Sequence, residues 1–395
     1  MMYPMGFFVV SQEVFEQFQQ QIEESGSMAA IDKMIDYFRQ EKQHVQLFEM
    51  YKIRARANLG LPLLFPGVTE ELSEEQRDAL EDALVEACNE VGRLLLDQGQ
   101  IREGWYYLRP VGDKTPVIAA LQEAEVDEDN VEDLIEVALY EGVAPEIGFR
   151  WMLEHYGTCN SVTTYEQQLA GMAPVAQQPL AGLLLDHVYA ELVGTVSADI
   201  SHQEGTEPQE PTLSAMIAER DWLFANSAYH IDTSHLAATV RFARVLRDEA
   251  HLRKALELVD YGSRLDPAFQ YEQTPPFTEL YPSHKRYFEI LIGEDVEGGL
   301  AYFREKAEAS DIRREGSLAI ETYIELLSRL GRHHEALEAA LTMIPVGVHT
   351  IGVAPSLIEL SENAGNYERL AQHSKEQGDV LGFATAMLFA KRTSS

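Results

Sequence analysis

Histidine, tyrosine and aspartate gather in the middle of this 395-residue chain, in four stretches that carry the residue types of acid–base and metal chemistry. The stretches are EHYGTCNSVTTYEQ with His155, Tyr156 and Cys159; LLLDHVYAEL with Asp186 and His187; YHIDTSHLAATVRFAR with Tyr229, His230, Asp232 and His235; and TELYPSHKRYF with Tyr281, His284 and Tyr287. Imidazole titrates near neutral pH, and together with carboxylate it supplies the usual zinc ligands. His230, Asp232 and His235 are therefore the sharpest candidates for a zinc site or a His-based hydrolytic centre, with His155 as a further member. Their spacing is awkward, because residues five apart do not share a helix face; joint ligation needs His230 in the loop before the helix that carries His235. In the plainer reading Asp232, Thr233 or Ser234 caps that helix, and the histidines bond to backbone.

The remaining candidates also have plain readings. In HYGTCN, Gly157 reads as a helix C-cap with Asn160 in the turn. Cys159 reads as a small apolar group, with a Cys/His pairing to His155 as its chemical alternative. Asp186 and His187 are adjacent and so point apart. His333 and His334 precede Glu335 without the second ligand of H-E-x-x-H, and G-x-G-x-x-G, the phosphate-binding P-loop and G-x-S-x-G are all missing. The reading is thus of a non-enzyme without a cofactor, zinc entering only with the hydrolase alternative.

The elements that must position these residues are helices. Apolar residues recur at three- and four-residue intervals, and strand alternation is confined to one short piece at Gly6–Val10. Ile31, Met34, Ile35 and Phe38 fall on one face, and Leu47, Met50, Tyr51 and Ile53 resume it after a polar break, which predicts a helix hairpin. Leu80, Leu84, Cys88, Val91 and Leu95 form the next stripe; Gly99 interrupts it, and Trp105 and Leu108 begin another helix. Two stretches leave this pattern. ISHQEGTEPQEPT reads as an exposed loop, and RLDPAFQYEQTPPFTELYPSH, with four prolines, as an irregular segment held by its aromatic residues.

Interruptions recur at Ala250, Gly293, Gly331 and Gly365, spaced 43, 38 and 34 apart. Five residues after them stand Ala255, Gly298, Ala336 and Leu370, and Gly104 follows Gly99 in the same way. A period near 34 with a small turn residue and a small contact residue marks helix-turn-helix units that bury their apolar faces on one another. YIELLSRLGRHHEALEAALTMIP, with Leu327, Gly331, Ala336, Ala340 and Pro345, and ARVLRDEAHLRKALELVDYGSRLDP, ending at Pro267, resemble tetratricopeptide-like repeats, clearest at residues 244–267 and 323–345. The resemblance implies an all-α fold, a right-handed α-solenoid of irregular helix-turn-helix repeats. It also implies a concave groove for a peptide or protein segment, in which successive units would bring His155, His187, Tyr229, His230 and His284 onto one face. Three sections are expected: N-terminal helix pairs over residues 1–110, an irregular central section over 111–240 and regular repeats over 241–395.

Composition narrows the partners. With 65 acidic against 31 basic side chains the formal charge is -34, and such a surface repels phosphate backbones and anionic lipid, whose binding rests on Lys and Arg. A basic peptide or protein fits better than nucleic acid or membrane, and oligomeric state is left open. No apolar run approaches the roughly 20 residues that span a bilayer. Only Cys88 and Cys159 occur, with no leader pattern and no N-x-[ST] sequon, which points to a soluble cytoplasmic protein. The expectation is an interaction scaffold, with a metal-dependent or His-based hydrolase and a purely structural subunit as the other readings.

Overall fold

A computed structural model describes residues 12–64, 72–345 and 347–393. The described residues are helical throughout apart from connecting turns and one isolated bridge between Glu272 and Glu279, so the protein is all-α. The short strand expected at Gly6–Val10 lies outside the described residues. Two compact units divide the chain, residues 1–151 and 152–395. That division falls at 151, whereas the sequence suggested changes of character after 110 and 240.

In the first unit α1 (Gln12–Gln40) and α2 (His44–Asn58) form the expected hairpin, joined by a tight turn in which Lys42 has φ +55°. Ile31, Ile35, Leu47, Met50 and Tyr51 bury one core with Ala87, Val91 and Leu95 of α3 (Glu74–Leu96), and Met34, Phe38 and Ile53 pack at its edge. Ser73 starts α3 with a capping box: its hydroxyl accepts the Gln76 N–H, and the Gln76 amide oxygen accepts the Ser73 N–H, each at 3.2 Å. Gly99 turns the chain at φ +74° into α4 (Ile101–Leu108). The two helices then cross glycine on glycine. A Cβ on Gly104 would stand 2.8 Å from Leu96 Cδ2, and one on Gly92 2.5 Å from Leu108 Cγ. The small residue expected at 104 is thus a close-approach position. α5 (Thr115–Glu123) and α6 (Val131–Ile135) follow, α6 running into a π turn at Glu136–Tyr140.

α7 (Pro145–Thr164) is broken at Gly157, whose φ +74° and ψ 179° are non-helical. The glycine expected to end a helix therefore interrupts one that resumes immediately. The second unit continues with α8 (Pro174–Glu204), α9 (Leu213–Ile217), α10 (Thr233–Phe242), α11 (Glu249–Ser263), α12 (Leu280–Leu291) and α13 (Val296–Ala309). After these come α14 (Ile312–Glu315), α15 (Leu318–Arg329), α16 (His333–Met343), α17 (Leu357–Asn363), α18 (Tyr367–Gln377) and α19 (Val380–Thr393). From α11 to α13 and from α15 to α19 each helix packs on the next, with α13 meeting α15 directly.

Gly293, Gly331 and Gly365 carry positive φ between these helices, as turn residues should, but Ala250 is already inside α11, whose cap is Asp248. The small residues after them divide as well. Ala255 and Ala336 are fully buried, whereas Gly298 accommodates its own Asp295 carboxylate and the close interhelical contact is made one residue later, by Gly299 against Ile290. Of the expected loop ISHQEGTEPQEPT, the first five residues close α8, with Ile200 fully buried, and the loop proper is residues 206–211 after the left-handed Gly205. The proline-rich stretch is irregular up to Glu279 and held by aromatics, with Phe277 buried between His284, Tyr287 and Phe303. Its last five residues, Pro282 among them, instead form the first turn of α12, where a proline needs no intrahelical partner.

Candidate functional site

α8 is the element on which the central histidines meet. Its residues His187, Glu191, Thr195 and Asp199 are four apart and so share one face. The Thr158 hydroxyl donates to Glu191 Oε2 at 3.2 Å and stands 3.1 Å from His187 Nε2. Having one hydrogen, which goes to Glu191, the hydroxyl accepts the His187 Nε2–H. Two turns on, the Thr195 hydroxyl reaches the His230 carbonyl at 2.8 Å, and His230 Nε2 lies 3.1 Å from Asp199 Oδ2. On its other side His230 meets Tyr261 of α11, which accepts the His230 backbone N–H at 2.8 Å and lies 3.0 Å from Nδ1. The phenol therefore donates to Nδ1, and the ring's remaining proton, on Nε2, is given to Asp199. Burial pushes the Tyr261 phenol up to about 12, so it stays a donor at neutral pH.

Three of the four sequence stretches thus send residues to α8, where His187 bonds to Thr158 and His230 to Asp199 and Tyr261. Asp232 is the N-cap of α10, accepting from Ser234 N at 2.8 Å and His235 N at 3.2 Å. Its carboxyl is held below the usual range, chiefly by the Ser234 hydroxyl; burial opposes this, and the His235 and Ser234 backbone donors add to the lowering. No group of three or more His, Cys, Asp or Glu able to hold a metal ion occurs among the described residues, His230, Asp232 and His235 included. His155 and Cys159 are exposed on either side of the Gly157 break. Tyr229 is 55% exposed, its ring edge-on to Phe269 at 5.2 Å.

The fourth stretch goes elsewhere. His284 was expected to line a groove and is instead in the core, 1% exposed, with Nδ1 donating to the Leu280 carbonyl at 2.7 Å and its ring stacked on Phe277 at 4.2 Å. Burial, and then the nearby Arg244 charge, hold its pKa well below the ordinary histidine value, so the ring is neutral. The physical reason is helix phase: Tyr281, His284 and Phe288 lie three and four residues apart on the inward stripe of α12.

Concavity is found further along the chain. Helices α15 to α19 enclose an open cavity of about 550 Å³ whose wall is mainly aliphatic, including Ile324, Ile344, Leu357, Leu370 and Leu381. One charged side chain is buried in that wall. Glu321, 1% exposed, turns both carboxylate oxygens to the segment between α16 and α17, accepting from Ile351 N and Val353 N at 2.8 Å each and from Ala354 N at 3.3 Å. Three backbone donors on one carboxylate satisfy the charge and fasten the loop, whose residues Val348, Thr350 and Ala354 line the cavity.

Sequence reading passed over Thr195, Asp199, Tyr261 and Glu321. The four-residue repeat of polar side chains along α8 is a visible signal for the first two. Glu321 carries no comparable signal, because Glu325 follows it four residues later on the same face. Tyr261 has no such signal.

No family model matches this chain, and neither a curated protein nor a solved structure matches it.

Proposed function

We propose that this protein is an interaction scaffold, a right-handed solenoid of tetratricopeptide-like helix pairs that holds a segment of a partner protein in the cavity walled by α15 to α19. The observation that carries the reading is the cavity itself. Its volume of about 550 Å³, its aliphatic wall and its buried, fully engaged Glu321 suit an apolar side-chain cluster of a peptide better than a reacting small molecule. The neighbour-on-neighbour packing of α11 to α19 supports the repeat description, since each helix pair finds its apolar partner in the next. The charge of -34 favours a segment with basic flanks and disfavours nucleic acid and anionic membrane, in keeping with a cytoplasmic setting. The hydrolase reading gains no support, because both ring nitrogens of His230 are engaged and Asp232 serves as a helix cap. The α8 seam is read as a lock between the second half of α7, α8 and the loop before α10.

The test is selection of peptides from a random display library on the intact protein, followed by titration against variants. Leu357→Asp and Thr385→Arg, both on the cavity wall, should weaken the selected peptides at least about 10-fold, as removal of a hot-spot contact does. His155→Ala and Tyr229→Ala should not. Peptides that bind all four variants alike would place recognition elsewhere and sink the cavity reading.

A further inference from the structure

α19 has two unlike faces. Ala386 is 1% exposed and Phe389 stacks on Tyr367 of α18 at 5.9 Å, which fixes the inward side. Outward stand Val380 (79% exposed), Leu381 (78%), Met387 (50%) and Leu388 (68%), with exposed Ala384 between them. Val380, Ala384, Met387 and Lys391 follow one another at intervals of four, three and four, the seam pattern of a helix that packs lengthwise on another helix. A contiguous stripe of large exposed aliphatics is not a neutral surface feature.

Charge selects the occupant. In a chain with 65 acidic residues, α19 reads VLGFATAMLFAKRT and contains none; Lys391 and Arg392 end it, while Glu376 and Asp379 stand just before it. We infer that this face pairs two copies of the chain through an antiparallel α19–α19 contact with Ala384 on the two-fold axis. Antiparallel pairing lays Val380 on Leu388 and Leu381 on Met387 of the other copy, and it sets the basic end of each helix beside the acidic residues preceding the other. Parallel pairing would bring like charges together at both ends. The absence of carboxylates from α19 makes it a place where two strongly acidic molecules can approach, and Ala384 at the centre lets the helix axes come close. One helix face offers less than the about 800 Å² a side of a standard complex, so association in the micromolar range is expected. The pairing goes beyond the proposed peptide binding and does not depend on it, although Leu381 borders both the stripe and the cavity.

Sedimentation velocity of the full chain from about 1 to about 100 µM tests it. The wild type should pass from monomer to dimer over this range, and Leu388→Glu should shift the midpoint at least about 30-fold, since a charge would be buried twice at a two-fold interface. Leu357→Asp, on the cavity wall only, should leave the dimer intact, which separates this outcome from that of the peptide experiment. Orientation is read by cysteine cross-linking after Cys88→Ser and Cys159→Ser. Ala384→Cys should form a disulfide between copies, whereas Val380→Cys should not, because four residues of helix on either side of the axis separate the pair by about 12 Å. A wild type monomeric at every concentration, or equal cross-linking at 380 and 384, overturns the inference.

Discussion

Tyr261 meets His230 twice, accepting its backbone N–H at 2.8 Å and facing its Nδ1 at 3.0 Å. A single phenolic oxygen thereby fixes both the position of the loop before α10 and the tautomer of the imidazole, which in turn aims Nε2–H at Asp199. Tyr261→Phe keeps the ring and its packing and removes only the oxygen. Two groups near the surface of α11 then lose their partner, at a cost of about 1–3 kcal/mol. Urea unfolding should show this as a lower midpoint with an unchanged slope. Stability equal to wild type would mean that water replaces the phenol without penalty.

Glu321→Gln tests the loop between α16 and α17. The carboxylate accepts three N–H groups with acceptor atoms only, whereas the amide that replaces it turns an NH₂ group toward backbone donors. Limited proteolysis should then cut within residues 345–356 at least about 10-fold faster, with helix content by circular dichroism unchanged. Equal cutting rates would show that the loop is held by its side chains and not by this carboxylate.

Arg329 ties together three elements of the second unit. It donates to the Arg244 carbonyl at 2.8 Å, to the Leu246 carbonyl and to the Tyr287 hydroxyl at 3.1 Å, and it faces Glu325 at 3.4 Å with 6% of its side chain exposed. Burial raises the Glu325 pKa, and the Arg329 charge opposes that rise. Arg329→Met leaves Glu325 without this counter-charge and three acceptors without their donor, a loss of about 3–5 kcal/mol. The double variant Arg329→Met, Glu325→Leu should recover part of it. A double variant no better than the single would place the loss in the carbonyl bonds instead of the charge.

Acid sensitivity follows from His284. Its folded pKa lies well below the ordinary value of 6.5 because burial, and then Arg244, disfavour the cation. Below about 6.5 the unfolded chain binds a proton that the folded one refuses, so stability is fully present above that pH and declines as the pH falls toward the folded pKa. The urea midpoint should fall between about pH 7 and pH 5, and His284→Leu should flatten that slope. A slope identical in the two proteins would assign the acid effect to other groups.

Gly262→Ala examines the closest helix contact beside the seam. A Cβ there would enter the space of the Tyr281 ring, which is fully buried and cannot swing aside. Overpacking of this kind costs about 1–3 kcal/mol, and thermal unfolding should show it directly. An unshifted transition would mean that α11 and α12 can separate without loss.

Much of this was legible in the chain itself, and much was not. The helix hairpin of α1 and α2, the capping residue Asp232, the breaks at Gly99, Gly331 and Gly365 and the irregular proline-rich stretch follow from local rules: the period of apolar residues, a side chain that can accept an N–H at a helix start, and a glycine that tolerates positive φ. These depend on neighbours within about one helical turn, so the order of residues determines them. Which histidines meet did not follow. His230 depends on Tyr261 and Asp199, each 31 positions away, and Glu321 on backbone donors 30 to 33 positions away. Such partners are chosen by the rotation and crossing of packed helices, which half a turn of phase reverses, and so His284 became a core residue while the polar stripe of α8 became the meeting place. The sequence by itself determined that the chain forms helices and where several of them end, though not at Gly157 or Ala250; tertiary packing decided which polar groups are used up inside the fold and where an open, apolar cavity is left.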